Sequence, residues 1–178
     1  MKITDLLEAI KADLQATDSL SDARDIDISP GRFNADEVTR RTFKAPALRV
    51  AFLGAPRTQP KPDATRRYEA AFAVFVLTDG KGRANEGIDL TEAVAERIEL
   101  NRFSDGHGIG LPGNLRIDAL YSGDLDDKGI SLHSVSWTQA ITIGTSEGIG
   151  AAGPSDTTMS ESIELNTDID ITRMPEDV

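Results

Sequence analysis

Few residues in this chain have the types and spacing that chemistry needs. The segment Gly106-His-Gly-Ile-Gly-Leu-Pro-Gly113 has the pattern Gly-x-Gly-x-x-x-x-Gly, which in a phosphate loop lets backbone amides close on an anion. Such a loop leaves a strand and opens a helix, so that the helix N-terminus meets the phosphates. Here the glycines follow a helical pattern and precede a strand pattern, and no Lys-Ser or Lys-Thr follows them, so the segment reads as a plain loop. Asp124-Leu-Asp-Asp127 could offer carboxylates to a hard cation, but it lacks the further ligands and distal glutamate of a calcium loop and reads as a solvated hairpin turn. His107 and His133 are the only histidines, and no His-x-x-x-His pair exists to grip zinc. Absence of cysteine removes disulfides, thiolate nucleophiles and Cys-ligated zinc together. No Gly-x-Ser-x-Gly elbow presents a serine nucleophile. Thirty acids give too many pairings for a carboxylate acid and base to be singled out. The residues ask for no enzyme, and they assign no catalytic, cofactor-binding or metal-binding position.

Charge narrows the partners. The net charge of −11 argues against a phosphate-binding surface, since nucleic-acid modules carry basic patches. Residues 145–178 hold eight acids against the single base Arg173, a net of −7, which leaves −4 for residues 1–144. The densest positive cluster is Arg57, Lys61, Arg66 and Arg67. Its surroundings are polar and hold Pro60 and Pro62, so Arg57 to Arg66 reads as an exposed loop, either simply solvated or a contact for an acidic partner. No apolar run approaches the eighteen or so residues of a membrane span, and the start lacks the layout of a secretory signal. A reducing cytoplasm is the expected place of synthesis.

The elements that would position these residues are legible from periodicity. Arg67 to Thr78 is apolar at Tyr68, Ala70, Phe72, Val74 and Val76 and also at Ala71, Ala73, Phe75 and Leu77, which predicts a central strand covered on both faces. Ile3, Leu6, Leu7, Ile10 and Leu14 line one face of a helix from about Thr4, its expected N-cap, to Ala16. Arg24 to Ser29 is a short alternating strand closed by Pro30-Gly31, and a helical turn capped by Asn34 or Asp36 is expected through Arg41, ending before Pro46. Ala47 to Leu53 predicts a strand closed by Gly54-Ala-Pro, antiparallel to the central one. Asp89-Leu-Thr-Glu92 fits a capping box for a second amphipathic helix with Leu90, Ala93, Val94 and Ile98 inward, running to about Arg102. A half-buried strand with Leu115, Ile117, Ala119 and Tyr121 on one face, an acidic turn, and the long strand Ile130 to Ile143 form a hairpin; Trp137 on it reads as core, with an interface anchor as the alternative. The expected fold class is α/β in the α+β sense, a mainly antiparallel sheet with two amphipathic helices packed on one face, plus a C-terminal extended arm.

Two units follow, residues 1–144 as the domain and 145–178 as a Gly/Ser/Thr linker with an acidic tail. In the tail, Ile163, Leu165, Ile169 and Ile171 alternate with Glu164, Asn166, Asp168 and Asp170, the pattern of one strand. Such an arm could fold back as an edge strand, stay disordered, or add a strand to a neighbouring molecule.

Taken in order, the first helix, Arg40-Arg-Thr-Phe-Lys-Ala-Pro-Ala-Leu-Arg-Val-Ala-Phe-Leu-Gly54, the strand ending Thr78-Asp-Gly80, the second helix, and the segment from Leu120-Tyr-Ser-Gly-Asp to Ser136-Trp-Thr-Gln139 resemble the small tail proteins of Mu-like phages. These belong with the tail terminators of long-tailed phages, contractile ones included. The resemblance covers residues 1–144 and rests on pattern and order, not on a catalytic signature. It implies a structural virion protein that assembles as a homo-oligomeric hexamer ring. That ring would cap the tail tube protein at its head-proximal end and join it to a neck or head-completion protein, with the tail sheath protein as a further contact. Genome DNA would pass without specific binding, and the mildly acidic domain suits such a channel. Expected localisation is the virion tail, and host cytoplasm during assembly, with no membrane and no cofactor. A neck or tail-completion adaptor is the alternative. A ferredoxin-like small-ligand or regulatory domain is the alternative from another class.

Overall fold

The computed structural model describes residues 2–29, 44–62, 65–104, 108–120 and 127–144. The expected helical turn at 34–41, His107, Asp124 and the segment Ile163 to Ile171 lie outside the described residues.

Among the described residues five strands form one mixed sheet with the order β1-β2-β3-β5-β4. They are β1 (Asp25–Ser29), β2 (Ala47–Pro60), β3 (Arg66–Asp79), β4 (Ile109–Leu120) and β5 (Ile130–Ile143). β1 runs parallel to β2, and the other neighbouring pairs are antiparallel. The doubly apolar stretch is therefore the middle strand, as its pattern requires. Helices α1 (Ile3–Gln15) and α2 (Arg83–Ile98) pack on a single face. There Leu6, Leu7, Ile10 and Leu14 of α1 and Leu90, Val94, Ala95 and Ile98 of α2 join Ala70, Phe72, Val74 and Val76 of β3. The opposite face carries a smaller apolar cluster of Ala47, Ala51, Ala73, Phe75, Leu77 and Leu132. Strand pleating sends alternate residues of β3 into each. No helix of the described residues is long and apolar enough to cross a membrane.

Several element boundaries differ from the periodic reading, each for a local reason. α1 begins at Ile3 rather than at a Thr4 cap, because the Asp5 carboxylate accepts a hydrogen bond from the Lys2 backbone N–H at 2.9 Å and satisfies one orphan donor. α2 begins at Arg83, six residues before the expected Asp89 cap. Gly82 at φ 89° turns the chain into it, and the Thr78 hydroxyl donates to the Arg83 carbonyl at 2.6 Å. It stops at Ile98, short of Arg102, where Leu100 and Phe103 adopt left-handed φ values of 65° and 58°. β2 does not close at Gly54. It passes through two register shifts, between Phe52 and Gly54 and between Gly54 and Arg57, with Gly54 at φ 127°. Among the described residues β1 flanks β2 as far as Ala51, and the later residues of β2, Pro60 among them, have β3 as their described neighbour.

Around Trp137 the core is aromatic. The indole is 2% exposed, stacks on Phe72 with centroids 5.7 Å apart, and meets Phe103 at 6.5 Å. Gln139, on the same face of β5, is buried too. Its Nε2 donates to the Gly110 carbonyl at 2.8 Å and the Arg102 carbonyl at 3.3 Å, while Oε1 accepts from the indole N–H at 3.4 Å. This amide ties the exit of α2 and the start of β4 to the long strand, satisfying polar groups that burial would otherwise leave unpaired.

At the other end of β5, His133 sits under α2 and is 8% exposed. Its Nδ1 has no hydrogen-bond partner among the described residues, and burial holds the imidazole below its ordinary value of 6.5. A histidine kept neutral by the fold binds fewer protons than the unfolded chain, so its contribution is fully present above pH 6.5 and fades as pH falls through that value. Urea titrations between pH 7.5 and 5.5 should show stability declining with acidity, and a flatter profile for His133→Leu. Equal slopes for both proteins would show that His133 does not govern this window.

Candidate functional site

The basic residues singled out from sequence are only partly brought together. Arg57, expected in a loop, lies on β2 and pairs in register with Glu69, and its guanidinium meets the Glu69 carboxylate at 3.4 Å. Arg66 and Arg67 open β3. The pleat puts Arg67 with Arg57 and Glu69 on the face opposite the helices, while Arg66, opposite Pro60 and Ile143, points to the other side. Lys61 remains in the connection. Its ammonium donates to the Thr142 hydroxyl at 3.3 Å, and its backbone N–H bonds the Thr65 carbonyl at 2.9 Å, closing the arm. The true connection is thus the short stretch between Pro60 and Arg66, and the outer halves of β2 and β3 form a paired hairpin arm.

Arg57, Arg67 and Glu69 line an open groove of about 440 Å³ with Leu111 and Gly113 of β4 and Thr138 of β5. One carboxylate among two guanidiniums leaves this groove positive. Its mixed lining suits a polypeptide surface more than a small ligand, which normally asks for an enclosed apolar pocket. A second open cleft, of about 460 Å³, lies between Ser19 and Asp22 after α1 and Lys81, Glu86 and Asp89 around the start of α2. Among the described residues no group of three or more His, Asp or Glu could hold a metal ion.

β4 is the feature that periodicity misjudged. Its expected half-buried face is largely open: Ile117 is 54% exposed, although its register partner Val135 is fully buried. Leu111 and Leu120 are exposed as well. The reason is position in the sheet. Among the described residues β4 pairs only with β5, at one end of the strand order, and the helices lie mainly elsewhere, α1 on β1 and β2 and α2 on β3 and β5. Register shifts between Ile109 and Pro112 and between Gly113 and Arg116 disturb its first half, and Asn114 takes φ 53°. From Arg116 to Leu120 the pairing with β5 is regular, and no described residue pairs with the outer side of this stretch. An Arg116–Asp118 ion pair at 2.9 Å lies along it.

No protein-family model matches the chain, and no curated protein matches it. Among solved structures it is similar to a chain in the virion of a native gene transfer agent particle, with 14% identity, a TM-score of 0.50, and coverage of 78% of this chain and 95% of that one. What the two share is the fold.

Proposed function

We propose that this chain is a non-enzymatic structural protein of a phage-type virion, a tail terminator whose copies form a ring on the head-proximal end of the tail tube. The observation that carries the reading is the shared fold with a gene transfer agent virion chain, nearly all of which is matched. The resemblance of residues 1–144 to Mu-like tail proteins agrees with it, as do surfaces suited to protein contact: a paired hairpin arm and a positive groove. In a ring, each copy offers one surface to the next and receives a different one, so the contact is heterologous and closes by rotation. Arg57, Lys61, Arg66 and Arg67 crown the hairpin arm and would meet acidic surfaces of the neighbouring copy, the tube or the neck protein.

Native mass measurement of the purified chain, alone and with tube protein, tests this, with six copies as the expected stoichiometry. Particles assembled without the protein should carry tubes of uncontrolled length. Tubes of normal length that lack heads would replace the terminator with a neck adaptor. A stable monomer that leaves tube growth unaffected would refute the assembly reading altogether.

A further inference from the structure

The described chain ends where its positive residues gather. In the sheet register Ile143 lies opposite Arg66 and Thr142 opposite Arg67, and the Lys61 ammonium bonds Thr142. Residues 145–178, with eight acids and one base, continue from this point. The end of β5 is also beside the start of β4, with the Thr142 N–H donating to the Gly108 carbonyl at 2.8 Å. The outer side of β4, where no described residue pairs, therefore begins about 10 Å from the exit at its near end, two inter-strand spacings away.

We infer that the segment Ile163 to Ile171 of this same chain is the strand that covers the free edge of β4. Length permits it. The 18 residues 145–162 span roughly 60 Å when extended and average about 23 Å end to end as a Gly/Ser-type linker, so either end of β4 is reachable. The stretch Arg116 to Leu120 lies opposite Ser136 to Leu132, roughly 23–36 Å along β5 from the exit and within the linker's span, and the tethered segment acts there at roughly millimolar effective concentration, above what a second copy reaches in dilute solution.

Chemistry on the two faces agrees. On the helix side the edge presents exposed Ile117, next to half-buried Leu115. Ile163, Leu165, Ile169 and Ile171 on one face of an added strand would cover it. Glu164, Asp168 and Asp170 would then lie on the groove side, the side of Arg116, whose guanidinium also pairs with Asp118. The opposite placement would set acids against Ile117. The regular stretch Arg116 to Leu120 supplies the backbone ladder, and the bulges near Pro112 limit the pairing to that half.

The inference concerns the isolated chain and does not depend on the assembly reading. Hydrogen exchange on the full chain tests it. The outward amides between Leu115 and Leu120 should be protected, equally at low and high protein concentration. In the double variant Ile163→Asp/Ile169→Asp that protection should fall at least about tenfold, with β3 amides unchanged as the control for folding. Identical exchange in both proteins would overturn the inference. Protection that grows with protein concentration would overturn it too, assigning the edge to a segment of a second copy.

Discussion

Trp137→Ala is expected to lower folding stability by about 3–5 kcal/mol, the range for deleting a buried aromatic side chain. The indole is 2% exposed, so little of the space it leaves can fill with solvent or collapse. The loss extends past its own volume. Phe72 and Phe103 lose their stacked and tilted partner, and the Gln139 amide oxygen, itself buried, loses its donor. The structure behind this is a shared anchor: the same cluster holds the middle strand, the long strand β5, and the segment that leads from α2 into β4. Trp137→Phe should recover most of the aromatic packing and cost appreciably less. Urea midpoints with matched m-values check both, and a loss under about 1.5 kcal/mol for the alanine variant would contradict this account of the core.

Gly87→Val is expected to cost about 2–3 kcal/mol or more, although valine is ordinarily the better helix residue at an exposed site. A Cβ at position 87 would stand 2.7 Å from His133 Nδ1, 2.8 Å from its Cε1 and 3.1 Å from the Thr78 hydroxyl. The imidazole is buried and cannot swing into solvent, so α2 has to lift from β5 or the ring has to leave its rotamer. Gly87→Ala meets the same first contact but adds less bulk, and its gain in helix propensity offsets about 1 kcal/mol of the clash. Pairing Gly87→Ala with His133→Ala should show the contact directly. Removing the ring makes room for the methyl, so the double variant should be more stable than the two single losses would sum to, by about 1 kcal/mol. Strict additivity would mean that the helix and strand do not touch here.

These two sites also divide what periodicity can and cannot locate. Trp137 was legible as core because β5 alternates cleanly, Val135, Trp137 and Ile141 against Ser134, Ser136 and Thr138. The same logic found α1, the doubly covered middle strand and the β4–β5 pairing. Gly87 was not legible: six residues of α2 before the expected cap carry little amphipathic signal, and the glycine in that helix is explained by His133 and Thr78 across the interface. Gln139 was hidden for a similar reason, since a polar residue at an apolar position announces itself only when its three partners are seen.

For the candidate surface the division is sharper. Composition located the positive cluster and the acidic tail, because charge is a property of residue type. Which of Arg57, Lys61, Arg66 and Arg67 share a side depended on β2 running on past Gly54 and pairing with β3, a long-range register that local residues do not encode. Likewise the alternation around Ile117 is real, but burial belongs to the strand's place in the sheet. A strand with one described neighbour and little helix above its outer half exposes the same side chain that a middle strand would hide. From its own residues, then, this chain determined its two described helices, most of its described strands and its central strand, since each follows from local spacing and chemical type. Tertiary structure alone decided the order of the strands, the face each arginine takes and the edge left open, because those depend on contacts between residues far apart along the chain.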